Sequence, residues 1–278
     1  MSLMLASLRV YPVKSCRGID VAAWDVDRLG LALDRAFMIV EEDTGLFITQ
    51  RRDPVLARIV PVLHDDTMVL TASGVTPVHV PLRQTEGPRR PVTVWRHEGV
   101  GVDQGDEVAA WLSAHIGRRA RLVRAPPDHA RRVNPERTTV EAHTAFSDGY
   151  PLLLVSQASV DALNARLELP VDVARFPPNL VVAGSAPFAE DGWRRLRIGP
   201  LDVVIVKPCE RCVITTLDPE QGVRTGDEPL RTLASFRRTA EGVLFAQNAI
   251  ALQTGRLAVG DVVDVAETQQ PPVFETVG

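Results

Sequence analysis

The chain is poor in cysteine and has no long apolar segment. Three cysteines in 278 residues are too few for a disulfide framework, and a sparse, odd number is typical of a reducing compartment. No stretch approaches the ~18–20 apolar residues of a transmembrane helix. The N-terminus lacks basic residues before a long apolar segment, so we expect no signal peptide. These absences predict a cytoplasmic protein that does not cross a membrane.

A strong excess of charge of either sign is also absent. The chain has 31 Lys and Arg against 35 Asp and Glu, a net charge of −4. This mildly acidic balance argues against binding to nucleic acid or to an anionic membrane. The hydrophobic fraction of 45% is ordinary for a soluble globular protein. A chain of this length can bury a large core in one or two domains.

Short β-type segments dominate both ends of the chain. Runs such as "LRVYPV", "RAFMIVE" and "PVTVW" combine Val, Ile, Thr and aromatic residues, and Pro, Gly and Asp separate them. They are too closely spaced for β–α–β units and predict an antiparallel sheet or a small barrel. Helical spacing predicts helices over 103–117 and 156–168, and we also expect a short helix near 228–237. The fold class is therefore mainly β with some α, and we expect 244–265 to form two strands around a turn.

A basic, proline-marked stretch at 118–138 changes the composition of the chain. We place the domain junction there, which predicts domains at 1–122 and 123–266. The remaining residues, 267–278, are polar and proline-containing, and we expect a weakly ordered tail.

The stretch "KPCERCVITTLDPE" at 207–220 contains a C-x-x-C pair. A structural zinc site usually needs four Cys or His ligands, and no histidine follows His143. A thioredoxin-like pair opens a helix, whereas "VITTLD" is β-branched and predicts a strand. Two inert, buried cysteines are a further reading. The neighbouring Lys207 and Arg211 favour a thiolate, which suits a soft-metal ligand or a nucleophile. The residues alone leave these alternatives open.

The wider motif "KPCERCVITTLDPEQG" resembles the signature of the MOSC family, named for the C-terminal domains of molybdenum cofactor sulfurases. Its form is similar to that of the amidoxime-reducing components and their bacterial relatives. "YPVKSCRGI" resembles the start of the β-barrel domain that precedes MOSC, and "LDRAFMIV", "ITQRRDP", "FSDGYPLLLVS" and "FPPNLVVAG" follow in the same order. The resemblance covers all but the C-terminal dozen residues. It implies two packed β-barrel-like domains that bind the molybdenum cofactor, a molybdopterin.

The resemblance implies one protein ligand for the metal and a set of anchors for the cofactor. Cys212, the second cysteine of the motif, would give its thiolate to molybdenum. Lys14, Ser15 and Arg35 would hold the terminal phosphate of the cofactor through an ammonium, a hydroxyl and a guanidinium. Cys209 is expected close to the metal without binding it.

Other matched positions would surround the pterin and the substrate. Asp148 in "FSDGYP" is predicted to be catalytic, by orienting substrate or a proton donor. Asn179 in "PPNLVV" would hydrogen-bond the pterin, because an amide both donates and accepts. Arg211 and Thr215, with the adjacent Thr216, would donate to cofactor oxygens.

One segment departs from the family pattern. Relatives commonly read F-R-P-N, with an arginine that helps to hold the cofactor, where this chain has Pro177. Proline has no side-chain donor, so Arg175 would replace that arginine only if the backbone turns it inward. Arg51 is a weaker candidate for the same anion pocket, and Cys16 is expected to be a packing residue.

The resemblance implies an oxidoreductase that reduces N-hydroxylated small molecules, such as amidoximes and hydroxylamines. The chain has no Cys₄ pattern for an iron–sulfur domain, so a separate ferredoxin- or cytochrome-like protein and its reductase would supply electrons. Two alternatives stay open. One is a sulfur carrier with a persulfide on Cys212, and the other is a cofactor carrier without turnover.

Overall fold

The computed structural model describes residues 2–275. The first half contains strands β1 (Leu3–Val10), β2 (Ile19–Val21), β3 (Ala23–Asp27), β4 (Gly30–Leu31), β5 (Phe37–Glu41), β6 (Val60–His64), β7 (Thr67–Ala72), β8 (Val75–Pro81), β9 (Arg89–Val94), β10 (His97–Asp103) and β11 (Ala120–Arg124). The second half contains β12 (Leu152–Ser156), β13 (Leu180–Ala183), β14 (Trp193–Ile198), β15 (Leu201–Glu210), β16 (Arg238–Thr239), β17 (Gly242–Ala251), β18 (Gly255–Ala258) and β19 (Val262–Thr268). The α-helices are α1 (Asp106–Ile116), α2 (Gln157–Asn164) and α3 (Leu230–Phe236). The 3-10 helices are Pro54–Arg58, Val173–Arg175, Ala189–Gly192 and Val213–Thr216.

Seven strands close a barrel in the order β12-β13-β1-β19-β14-β15-β17, and β17 pairs back with β12. The pair β12–β13 is parallel. Apolar side chains from alternating positions, such as Leu8, Leu154, Val182, Leu196 and Ile205, fill the core of this barrel. Closing the sheet on itself satisfies the backbone groups that an open sheet would expose at its edges.

Strands β5 to β11 form a half-barrel. It consists of a four-stranded sheet, β5-β11-β10-β9, and a three-stranded sheet, β6-β7-β8. A second core contains Phe37 and Leu122 from the first sheet, Met68 and Val80 from the other, and Leu112 from α1. The apolar stripe predicted for 103–117 thus covers the half-barrel, and the mainly β fold class is confirmed.

The chain begins in the barrel of its second half. Strand β1 lies between β13 and β19, and β3 pairs with β18. The predicted division at residues 122 and 123 remains a sequence prediction. In three dimensions the two parts are interlocked, because the first strands complete the C-terminal barrel before the half-barrel starts.

The segment after the two cysteines is not a strand, contrary to our prediction. Residues Val213–Thr216 form a 3-10 helix. The Thr215 hydroxyl donates to the carbonyl of Cys212 at 3.0 Å, and the Thr216 hydroxyl donates to that of Val213 at 2.7 Å. Hydroxyl groups that bond to the backbone three residues earlier compete with sheet pairing, and here they outweigh the β propensity of these residues.

The C-terminal segment also differs from prediction. Residues 244–265 contribute to three strands rather than two, because β18 leaves β17 and pairs with β3. Strand β19 continues to Thr268, and the backbone amides of Gln269 and Glu275 bond to the carbonyls of Gly192 and Arg238. Residues 276–278 of the predicted tail lie outside the described residues. No helix within residues 2–275 is long and apolar enough to cross a membrane.

Candidate functional site

A cleft of about 210 Å³ opens where loops from both halves of the chain meet. Its wall carries one carboxylate, that of Asp148, against seven cationic side chains. These are Arg9, Lys14, Arg17, Arg35, Arg51, Arg175 and Arg211. The protein as a whole has a net charge of −4, so this concentration of positive charge is local. A cationic, concave site of this kind attracts an anionic ligand.

Lys14 and Asp148 form an ion pair across the cleft. The Lys14 Nζ lies 2.6 Å from the Asp148 Oδ1, and the lysine side chain is 7% exposed while the aspartate is 63% exposed. Burial lowers the pKa of Lys14, although the Asp148 charge opposes this. Partial loss of water around Asp148 would by itself raise its pKa, but the Lys14 charge and hydrogen bonds from Lys14 and Trp95 hold it well below its usual range. Asp148 is therefore a carboxylate at neutral pH, suited to orienting a partner rather than to donating a proton.

Two of the predicted phosphate anchors have unusual backbone conformations. Ser15 has φ +66° and Arg35 has φ +47°, a region that residues other than glycine rarely adopt. The carbonyl of Ser15 accepts a hydrogen bond from Gln50 Nε2 at 2.8 Å. The Arg35 Nη1 donates to Asp34 Oδ2 at 2.5 Å, and its guanidinium stacks 4.3 Å from the centre of the Tyr11 ring. Strain of this kind persists where the surroundings hold it and is concentrated at functional sites.

Asn179 lies beneath this arginine and is fully buried. Its amide nitrogen donates to Asp34 Oδ1 at 3.0 Å and to the Arg9 carbonyl at 3.1 Å. Its amide oxygen accepts from Arg35 Nη1 and from the Leu153 backbone N–H, both at 3.1 Å. All four hydrogen-bonding positions of the amide thus have protein partners, and the observed effect of Asn179 is to fix Arg35. The predicted contact of Asn179 with the pterin stays a prediction. It would require the amide to replace one of these protein hydrogen bonds with a bond to the pterin.

The three cysteines have different surroundings. Cys16 is buried in the core of the half-barrel, and burial raises its pKa, as expected of a packing residue. Burial also raises the pKa of Cys209, near the end of β15. Cys212 is half-buried at the start of the 3-10 helix, and Arg51 Nη2 donates to its Sγ at 3.3 Å. A positively charged donor directed at a sulfur suits one that carries negative charge, as a metal-bound thiolate does.

Direct contacts join the predicted phosphate anchor to the predicted metal ligand. Lys14 binds Asp148, which accepts a hydrogen bond from Trp95 Nε1 at 2.9 Å. The Trp95 ring lies 4.6 Å from the guanidinium of Arg51, and Arg51 binds Cys212. Cys212 is not itself among the residues that line the cleft, but Arg51, its partner, is.

Trp95 was not among the site residues predicted from the sequence. It lies in the turn between β9 and β10 with φ +57°, its side chain is exposed, and it packs edge-on against Phe47 with ring centres 4.9 Å apart. No local motif marks it, because the turn reaches Asp148 only through the fold. Asp34 was also missed, and its position next to Arg35 in "LDRAF" was the available signal.

The chain matches two protein-family models and several known proteins in sequence. The MOSC N-terminal beta barrel domain matches residues 2–119, and the MOSC domain matches residues 141–264. Mitochondrial amidoxime-reducing component 1 of Mus musculus is 34% identical and aligns with 93% of this chain and 81% of its own length. The chain belongs to the MOSC family. Mitochondrial amidoxime reducing component 2 of Rattus norvegicus is also 34% identical, over 91% of this chain and 80% of its length. The Molybdenum cofactor sulfurase of Oryza sativa subsp. japonica is 34% identical over 87% of this chain but 32% of its own length.

The MOSC family is associated with the molybdenum cofactor, and the cleft fits such an anionic group. Arg17 Nε, Arg175 Nη1 and Arg211 Nη2 are buried beside it without a hydrogen-bond partner in the described part of the chain. A buried donor without a partner costs about 1–3 kcal/mol. A ligand with several anionic oxygens would satisfy these nitrogens.

The remaining predicted residues divide between the cleft and its support. Arg175 lines the cleft, so its backbone does turn it inward, and its Nη2 donates to Thr225 Oγ1 at 3.3 Å. Arg211 Nε donates to the Phe245 carbonyl at 2.8 Å, which fixes its planar group. Thr215 is buried and does not line the cleft. Its observed role is to close the turn after Cys212, and donation to a cofactor oxygen stays a prediction.

Proposed function

We propose that this protein is a molybdenum-cofactor-dependent oxidoreductase that reduces N-hydroxylated compounds such as amidoximes and hydroxylamines. One observation carries the proposal. Arg51 lines the cationic cleft and also donates a hydrogen bond to the half-buried Cys212. An anion-binding cleft and a thiol bound by a cation are the two parts that a phosphate-bearing cofactor with a metal centre requires. The names of the amidoxime-reducing relatives support the choice of substrate.

The residues of this chain take distinct roles in the proposal. Lys14, Ser15 and Arg35 hold the phosphate, and Cys212 supplies the protein ligand to the metal. When bound, the cofactor would supply the redox chemistry for removing the oxygen atom with two electrons. In the net reaction the N–O bond breaks, two electrons and two protons are consumed, and water leaves. The ionised Asp148 accepts a hydrogen bond from the substrate hydroxyl or from the group that delivers a proton, and so orients it.

The proposal includes a separate electron donor. We propose a ferredoxin- or cytochrome-like protein with its reductase, and a cytoplasmic location for the reaction. The amidoxime-reducing relatives are named as components, which supports a system of more than one protein.

A second candidate is sulfur transfer. The similarity to a molybdenum cofactor sulfurase favours it, and Cys212 would then carry a persulfide sulfur to an acceptor. A cofactor carrier without turnover is the third possibility, with the same cleft and no reaction.

One purification distinguishes the three. The protein is produced in a host that makes molybdopterin and is analysed for molybdenum, for pterin fluorescence and for persulfide. Stoichiometric molybdenum with reduction of benzamidoxime by an artificial electron donor is the expected result. Bound cofactor without turnover would indicate a carrier, and persulfide on Cys212 without metal would indicate sulfur transfer.

A further inference from the structure

A second, wider groove adjoins the cleft. It has a volume of about 630 Å³ and shares Phe47, Asp148 and Gly149 with the cleft. Neither the predicted cofactor anchors nor Cys212 line it. Because the groove meets the cleft at Asp148, a molecule whose reacting end lies at the cleft can extend its body into the groove.

The indole of Trp95 forms one wall of this groove. Trp95 lines the groove, whereas Arg51, which stacks on its ring, lines the cleft. The ring therefore stands between the two cavities. Three contacts hold it there, namely the stacked Arg51, the edge of Phe47 and the hydrogen bond to Asp148. Trp95 has a backbone φ of +57°, and its large side chain remains 43% exposed. An aromatic ring held in this way is available for contact with a ligand.

The other walls of the groove carry uncompensated positive charge. Arg96 and Arg132 are exposed at the groove, and neither forms an ion pair within residues 2–275. Arg131 is buried and donates to the backbone carbonyls of Ser147 and Asp148 rather than to a carboxylate. The single acid in the groove, Asp148, is already paired with Lys14. The groove thus combines a flat aromatic wall with a net positive charge.

We propose that this groove binds the body of the substrate and selects N-hydroxylated compounds whose planar body carries a negatively charged group. The inference rests on the proposed function, because it assigns the reacting end of the substrate to the cleft. A flat body packs against the indole of Trp95, and its anionic group lies between Arg96 and Arg132. The N-hydroxyl end then lies at Asp148.

The test compares benzamidoxime with 4-carboxybenzamidoxime, which share a reacting end and differ by one carboxylate. We expect the parent protein to favour the carboxylated compound in kcat/KM. In the Arg96→Gln/Arg132→Gln variant this preference is expected to fall by on the order of tenfold, mostly through KM, because two positive charges near the carboxylate are lost. Higher salt is also expected to reduce the preference of the parent protein for the carboxylated compound.

The matched control is Arg83→Gln/Arg197→Gln. It removes the same charge from exposed positions that line neither cavity and is expected to keep the parental preference. Equilibrium titration with both compounds, without an electron donor, measures the same preference as a ratio of Kd values. If neither compound is reduced but the carboxylated one binds more tightly through these arginines, the proposed reaction fails while the groove assignment stands.

Two results would overturn the inference. One is a parent protein that does not prefer the carboxylated compound, or a groove variant that retains the preference. The other is a groove variant that loses activity toward both compounds equally, and only with a protein electron donor. That result would make the groove a docking surface for an acidic partner.

Discussion

At the scale of single residues, the two cysteines of the C-x-x-C pair differ in what surrounds them. Cys209 lies near the end of a strand, and burial raises the pKa of its thiol. Cys212 lies beyond the strand, with the Arg51 guanidinium at its sulfur. We therefore expect substitutions of Cys209 and Cys212 to have different effects on activity. In a disulfide or a redox pair, the two substitutions would have the same effect.

We expect Cys212→Ser to abolish reduction of benzamidoxime and Cys209→Ser to keep measurable activity. A serine hydroxyl stays protonated near neutral pH and is a poor ligand for a soft metal, whereas substitution of Cys209 removes no ligand. The measurement is turnover per bound molybdenum in the two single variants. Equal loss in both would contradict the single-ligand assignment and favour a redox pair.

Asp148 gives a prediction about pH. Its pKa lies below the ordinary value of about 4, so the folded protein binds this proton more weakly than the unfolded chain. The stabilisation is therefore fully present above about pH 4 and is lost as the pH falls further. We expect Asp148→Asn to lower the free energy of unfolding by about 1 kcal/mol at pH 7. The effect is small because solvent screens the exposed carboxylate and because the amide oxygen of asparagine still accepts a hydrogen bond from the buried Lys14.

Urea unfolding of the parent and of Asp148→Asn at pH 7, 5 and 3 checks this prediction. The difference between the two proteins is expected to be constant from pH 7 to pH 5 and to shrink at pH 3. The other carboxylates titrate in both proteins and cancel in the difference. A difference that stays unchanged at pH 3 would show that Asp148 does not titrate as inferred.

At the scale of elements, a buried ion pair joins the end of α3 to the 3-10 helix Ala189–Gly192, and hydrogen bonds attach both partners to β17. Arg237, directly after α3, binds Asp191 through two bonds of 2.6 and 2.9 Å, and both side chains are 4% exposed. Arg237 Nε also donates to the Leu244 carbonyl, and Gln247 Nε2 donates to Asp191. The same strand supplies the Phe245 carbonyl that orients Arg211, so this network supports the cleft from behind.

We expect Arg237→Met to lower the free energy of unfolding by about 3–5 kcal/mol, because it leaves the Asp191 charge buried without its partner. The matched control is Arg231→Met on α3, whose side chain is 74% exposed in its pair with Glu228 and is expected to cost under about 1 kcal/mol. Adding Asp191→Leu to Arg237→Met should recover part of the loss. Urea unfolding measures all three, and similar costs for both arginines would contradict the assigned role.

At the scale of the whole molecule, the order of strands in space does not follow the order of the domains in sequence. Strand β1 is a central strand of the C-terminal barrel, and β3 pairs with β18. The cleft depends on this arrangement. Lys14 and Ser15 follow β1 closely in sequence, so the place of β1 in the barrel positions them beside the second half of the chain.

We expect a fragment of residues 123–278 not to fold by itself. Without β1 the barrel has a gap between β13 and β19, and backbone groups on both sides lose their partners. Fusion of residues 2–31 to the start of this fragment through a flexible linker should restore a cooperative thermal transition by circular dichroism. A cooperative transition in the fragment without residues 2–31 would contradict the prediction.

The fold class, the α-helices and the family could all be predicted from the sequence. Hydrophobic periodicity predicts α1 and the start of α2 because a helix depends on residues three and four positions apart. Cys212, Lys14 and Arg35 could be proposed as site residues because each lies in a short contiguous motif, and their roles stay predictions. The 3-10 helix after Cys212 could not be predicted, because the same threonines suit a strand. Their hydroxyl groups outweigh that propensity only in the folded chain, where they donate to the backbone three residues earlier.

Strand pairing and the contacts between distant side chains could be learned only from the three-dimensional structure. A period of two shows which residues of a strand face a core but not which strand lies beside it, so the place of β1 in the barrel was not predictable. For the same reason no pattern indicated that Trp95, in a hairpin turn, reaches Asp148 and Arg51. These contacts join residues about 45 to 55 positions apart, Trp95 with Arg51 within the first half of the chain and Trp95 with Asp148 across the two halves, so only tertiary packing brings them together.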